Sequence, residues 1–364
     1  MNKIARLSNF ELIRILAMFL IVLHHCLCHL RTLMPIFPNT ENIHFINNFI
    51  AFLLFSGGKV GVAIFEILTG YFMISACTKK QKFFSLYLKT LLYSLVFLLC
   101  AILIGIKPNL SQIIHSFFPI GSNTYWFISV YLIFYLFIPY VNKLLLSINN
   151  KDFHFGWGGL IATMTLLWVI LPSFTTFDYF KNELIDFLYL YIIGASIKLS
   201  KFNFMENKRI LNATAISIPV IFTVVYTLYI FFSKTQCKFH PIMYTSEINF
   251  FSVITAIVLF FYFKNLTIPQ NKWINIISNS MFGVYLIHSN CFINPFKLEV
   301  FNVAQYQSSP YFAIKCITFS FIVFAVCLII DLILSFLLKP ISKTLNNCFC
   351  NILEKITERK EVNK

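Results

Sequence analysis

Chemistry in this sequence has to come from ionisable side chains set inside apolar stretches, where they are costly to keep and mark functional positions. The first such stretch, residues 10–31, carries Glu11, Arg14, His24, His25 and His29. Arg14 and His25 are eleven residues apart, nearly three whole helical turns. They therefore share one face, separated by about 16 Å along the axis. His29 continues the stripe from His25, and Glu11 can pair with Arg14 at i+3. A guanidinium fork suits phosphate. An imidazole that titrates near neutrality suits a general base or a nucleophile. The bland alternatives are a snorkelling arginine and a histidine that bonds a neighbouring helix. A stripe on one face is what those alternatives do not require. His25 and His29 make half a metal site, but nothing nearby completes a tetrahedral set, so no metal is expected.

Further charged and aromatic residues follow the same logic. Lys59 and Glu66, seven residues apart in the second stretch, also share a face. They form either a structural ion pair or part of the wall of a cavity shared with the first helix. Gly57, Gly61 and Gly70 permit close helix approach beside them. Tyr285 and His288 end a later apolar run next to Ser289 and Asn290. Asp331, in the last apolar stretch, is a buried acid to which the sequence gives no role.

The elements that must position these residues are membrane helices. Of the 364 residues, 58% are hydrophobic and only 12% charged, against about 25% charged in soluble domains. That leaves too little polar surface to face water, so the fold class is all-α, a polytopic membrane protein. Apolar stretches of helix length fall near 10–31, 46–76, 84–106, 124–146, 157–173, 184–199, 210–233, 246–263, 274–290 and 311–338, about ten spans. The second is too long for one perpendicular span and predicts a bend or break at Ser56-Gly57-Gly58. With the amino terminus inside, 20 of the 29 Lys and Arg residues fall on the inner side and seven on the outer, with Arg14 and Lys59 within helices. This is positive-inside asymmetry. The net charge of +15 therefore sets topology, and no nucleic-acid partner is expected. The first stretch lacks a small-residue cleavage site and reads as a retained signal anchor. Residues 1–338 form the membrane domain. Residues 339–364 form an inner tail, either amphipathic or simply charged. The ten cysteines lie mostly in apolar segments as small hydrophobes; Cys237 and Cys291 are a conceivable outer pair.

These features resemble the membrane acyltransferase-3 superfamily. Its signature of an Arg, ten intervening residues and a His in the first helix is matched by Arg14 and His25. Gly57 to Phe65, followed by Thr69-Gly70-Tyr71-Phe72, is similar to the family's glycine-phenylalanine stretch and its Ser-Gly-aromatic element, with Thr69 in place of serine. Tyr125-Trp126-Phe127 with Tyr131 and Pro139 resembles its tryptophan-led fourth helix, and Gly283 to His288 its Tyr-Leu-x-His element. The chain departs from members that carry an acid in helix four, since Trp126 to Tyr131 contains none. Glu66 is the substitute considered for that acid.

The resemblance implies a multi-pass protein of a bacterial cell membrane, an origin that also suits the Asn-, Lys-, Ile- and Phe-rich composition, with both termini cytoplasmic. It would move an acyl group, usually acetyl, from cytoplasmic acyl-CoA to a hydroxyl of a lipid-linked or cell-surface glycan. No bound cofactor is expected; acyl-CoA is the donor substrate. In this reading His25, with Arg14, His24 and Glu66, carries catalysis. Glu11, Lys59, Tyr71, Trp126, Tyr285 and His288 bind substrate, with Lys59 or Tyr71 on the developing oxyanion. The competing class is a polysaccharide transporter, flippase or polymerase. Against it stand the absence of paired repeats with matched broken helices and of a long outer loop.

Overall fold

The computed structural model describes residues 7–33, 42–121, 123–148, 156–171, 182–199, 249–300, 303–306 and 308–362, with short helical pieces between 209 and 225. The helices are α1 (Ser8–Leu33), α2 (Asn42–Met73), α3 (Lys80–Leu103), α4 (Leu110–Phe117), α5 (Trp126–Leu146), α6 (Trp157–Met164), α7 (Glu183–Lys198), α8 (Phe250–Lys264), α9 (Lys272–Asn279), α10 (Met281–His288), α11 (Ile293–Val300) and α12 (Phe312–Val362). Among the described residues there is no strand. Asparagines start several of these helices. Asn109 forms a capping box with Gln112 on α4, while Asn182, Asn249 and Asn271 accept from the first-turn amides of α7, α8 and α9.

Among the described residues, α1, α2, α3, α5 and α12 contain segments long and apolar enough to cross a bilayer. Residues 157–170 and α8 are shorter apolar helices. An all-helical membrane protein stands; a count of ten spans does not follow from these helices. Their outward faces carry large apolar groups that water would not tolerate as a continuous surface. Examples are Leu99 and Leu103 on α3, Leu136 and Leu144 on α5, and Phe321, Ile329 and Phe336 on α12. Polar groups are turned inward instead: Glu11, Glu66, His288, Lys297 and Asp331 are all buried.

Lipid tails are as apolar as leucine, so close packing and polar contacts hold such helices together. One core cluster joins α1, α2, α5, α7 and α8 around Ile64, Phe187 and Tyr191. A second joins α1, α3, α5, α10 and α12 around Val22, Leu132 and Leu286. Glycines set the tightest contacts. A β-carbon on Gly61 would stand 2.5 Å from the Ala17 carbonyl oxygen of α1. A β-carbon on Gly70 would strike the Tyr191 carbonyl, and one on Gly194 the Ile67 carbonyl, so α2 and α7 meet backbone to backbone.

Several expectations change. Helix α2 runs unbroken through Ser56-Gly57-Gly58; these glycines receive Leu20 and His24 of α1 and serve packing. The stretch expected over 274–290 is two helices, α9 and α10, which meet at Ser280. Helix α12 continues past residue 338 to Val362 through Pro340, with Phe349 stacked on Phe84 of α3 at 5.5 Å. The tail is therefore helical and leans on the membrane domain. The stretch expected over 210–233 falls mostly outside the described residues, as do Cys237 and the side chain of His29.

Candidate active site

A cavity of about 260 Å³ opens between α1, α2, α3, α5 and α10. His24 and His25 of α1, Lys59 of α2, Lys82 of α3, Trp126 and Tyr131 of α5, and Tyr285 of α10 line it, with apolar groups such as Val62, Phe65 and Phe282 between them. No carboxylate is among its lining residues. Its character is apolar with fixed basic groups, which suits a ligand that combines a hydrocarbon or amide arm with negative charge.

At one end stands an imidazole pair. His25 Nδ1 lies 2.8 Å from His288 Nε2, and His288 Nδ1 lies 2.7 Å from the Val284 carbonyl oxygen. A carbonyl only accepts, so His288 Nδ1 carries a proton. In the neutral ring Nε2 is then an acceptor. His25 must donate to it from Nδ1, which leaves the lone pair of His25 on Nε2. Neutrality fits the surroundings: His288 is fully buried, and the Lys297 ammonium sits 3.2 Å from its own carbonyl oxygen. A second buried cation there would be costly. The chain Val284, His288, His25 thus selects a tautomer, the role a buried carboxylate plays in hydrolase triads.

The framework holding this pair is polar and buried. Tyr125, just before α5, donates to the Leu286 carbonyl at 3.1 Å and accepts from Asn290 Nδ2 at 2.8 Å. Asn290 Oδ1 in turn accepts from the Phe292 amide at 2.9 Å. These bonds pin the start of α5 against the end of α10. Lys297 donates to Asn294 Oδ1 at 2.8 Å and to the His288 carbonyl, a cation at the carboxyl end of α10 where the helix dipole favours one.

At the other end, Arg14 Nη1 donates to Glu11 Oε1 at 2.7 Å, and Ser278 of α9 donates to Glu11 Oε2. The guanidinium lies 5.3 Å from the centre of the Phe72 ring. Lys82 and Tyr131 are its electrostatic neighbours, so Arg14, though not a lining residue, adds positive charge beyond the Lys82 side of the cavity. A single bond of the fork is made to Glu11, so most of the guanidinium N–H donors are not engaged by that carboxylate.

The expected site residues thus divide. His24, His25, Lys59, Trp126 and Tyr285 line the cavity, and His288 stands behind His25. His24 donates to the Phe55 carbonyl at 2.6 Å, its ring seated over Gly58, which directs His24 toward helix packing and leaves His25 the better base. Arg14 and Glu11 form one pair beyond the Lys82 end. Glu66 is buried on α2 but is not in the cavity wall, and neither is Tyr71, whose ring packs on Phe10, Phe72 and Phe260. Lys82 and Tyr131 are wall residues outside the expected site, Tyr131 having entered only through the fourth-helix resemblance; Lys82 looks like one of many topology lysines until its helix is placed. Asp331 finds its role away from the site. It accepts from Lys89 Nζ at 2.8 Å and Tyr93 at 2.7 Å, under Gly283 of α10.

An imidazole with a free Nε2 lone pair, at the end of a basic and apolar cavity inside a helical bundle, is equipped for acyl or proton transfer. Residues 7–339, nearly the whole chain, match a family described as an acyltransferase domain. Neither a curated protein nor a solved structure gives a significant match. With the Arg14 and His25 spacing now on one cavity-lining helix, the chain belongs to the membrane acyltransferase-3 family and is a membrane acyltransferase.

Proposed function

We propose that the protein moves an acyl group, acetyl in the simplest case, from acyl-CoA to a hydroxyl of a cell-surface or lipid-linked glycan in a bacterial cell membrane, with its amino terminus on the cytoplasmic side. The observation that carries this reading is the tautomer chain at His25, which leaves a basic Nε2 at one end of a cavity whose other end is cationic. Arg14 and Lys82 pair with donor phosphates. The pantetheine arm lies in the apolar cavity and brings the thioester about 16 Å along α1 to His25. His25 Nε2 takes the proton of the acceptor hydroxyl as its oxygen attacks the thioester carbon. The same proton returns to the leaving thiolate. His288 fixes the ring and accepts from Nδ1 throughout. Lys59 adds positive charge to the wall. Glu66, off the wall, is not needed as the acid in this scheme.

The test is purified protein in lipid nanodiscs given acetyl-CoA, with release of free thiol followed with and without a glycan acceptor. Thiol release that depends on His25 supports the reading. A wild-type protein that leaves acetyl-CoA untouched removes it in favour of a transporter. Glycan mass spectrometry of a deletion strain, read for the loss of one acyl mass, identifies the acceptor and the acyl group together.

A further inference from the structure

The reaction just described builds negative charge on the thioester carbonyl oxygen, and the cavity must hold a donor for it. Tyr285 lies on α10 one turn before His288, on the same face. It is only 6% exposed, and its ring is wedged between Tyr125, Phe127 and Phe282, at centroid distances of 6.2, 6.1 and 6.5 Å. Its hydroxyl proton finds no acceptor among the described residues. A buried phenol whose proton has no acceptor is costly, and Tyr285 lines the cavity that His25 also lines. The phenol is a donor in want of an acceptor.

The amides of Phe127 and Ile128, in the first turn of α5, are turned toward the same hydroxyl, and both residues line the cavity. Helix α5 is 21 residues long and has no side-chain cap at its start. First-turn amides and the aligned dipole of such a helix favour an anion at that end. We infer that the Tyr285 hydroxyl, with the first-turn amides of α5, forms the oxyanion site of the acyl transfer. This inference rests on the acyl-transfer reading above and moves the oxyanion role from Lys59 or Tyr71 to Tyr285.

The acceptor oxygen bonds to the thioester carbon, the carbonyl π pair moves onto the carbonyl oxygen, and the hydroxyl proton passes to His25 Nε2. The oxyanion accepts a hydrogen bond from Tyr285, which keeps its proton. Collapse re-forms the C=O bond and breaks C–S. The thiolate leaves with the proton held by His25, giving ester and free CoA thiol. Because the bond to Tyr285 strengthens as charge develops, it acts on turnover more than on donor binding.

The test is Tyr285→Phe in nanodiscs, with initial rates measured across acetyl-CoA concentrations beside the thermal unfolding midpoint. The variant keeps the ring that packs on Tyr125, Phe127 and Phe282, so the midpoint should hold. The expected result is a kcat lower by about 10²–10³-fold, with KM for acetyl-CoA within about twofold. Difluorotyrosine incorporated at 285 keeps the shape and donates more strongly, so its kcat should stay within about threefold of wild type. A Phe variant with near-normal kcat, or one whose loss lies wholly in KM, overturns the assignment while leaving acyl transfer intact. A difluorotyrosine protein as slow as the Phe variant also overturns it, since shape and donor are both present there. Wild-type protein that releases no thiol overturns the acyl-transfer reading, and this assignment with it.

Discussion

His25 and His288, 263 positions apart in the chain, meet ring to ring with Nδ1 of the first 2.8 Å from Nε2 of the second. One sits on α1 and the other at the last position of α10. Their contact decides which nitrogen of His25 faces a substrate. It therefore makes a prediction that separates the base from its support. His25→Ala should lower kcat by about 10²–10⁴-fold. His288→Phe should lower it by about 10²-fold through the wrong tautomer, with KM for acetyl-CoA near normal. Steady-state thiol release measures both. A His288→Phe variant as fast as wild type would show that the pair does not orient the base.

The Arg14 end predicts the opposite kinetic signature. Arg14→Ala and Lys82→Ala should each raise KM for acetyl-CoA by about tenfold and change kcat little, because they hold donor groups remote from the reacting atoms. Arg14→Lys should recover only part of the loss, since a point charge replaces a planar fork. Normal KM in Arg14→Ala would take the arginine out of donor binding.

The Lys89 and Asp331 pair links α3 to α12 beneath α10, and neither residue lines the cavity. Asp331 is almost fully buried and also accepts from Tyr93. Lys89→Met leaves that carboxylate without its cation and should cost about 3–5 kcal/mol. Changing both residues together, Lys89→Met with Asp331→Leu, should restore much of the stability. Thermal unfolding of the detergent-solubilised variants checks the cycle. Equal losses in the single and double variants would dissolve the claim of coupling.

The α2 and α7 contact predicts sensitivity to a single methyl group. Gly70→Ala and Gly194→Ala each place a β-carbon on backbone, which cannot swing aside. Each should destabilise by about 1–3 kcal/mol, and the pair should not add, because both open one interface. Gly158→Ala, with nothing within 4 Å of the new carbon, serves as the neutral comparison. Fluorescence-detected size exclusion after heating ranks the three.

Much of this architecture is legible without coordinates, for reasons visible in particular residues. Arg14 and His25 share a face because both lie on one helix, and helical period alone fixes that relation. Apolar stretches of bilayer length had to become helices, since no other open structure satisfies its backbone in lipid. Glu11 met Arg14 as expected at i+3, again a local relation. Local rules failed at Ser56-Gly57-Gly58. Glycines that weaken a helix in isolation are kept helical here by the α1 side chains packed on them.

The sequence by itself determined the solvent, the helical class, the family, and the one-helix stripe from Arg14 to His25, because each depends on composition or on spacing along a single element. Only the tertiary structure decided the rest. It joined His25 to His288, set Tyr285 and the start of α5 on the same cavity, kept Glu66 and Tyr71 off its wall, and gave Asp331 to Lys89. Those relations run between helices far apart in the chain. They follow from which faces pack together, and a residue's own neighbours in sequence carry no record of that.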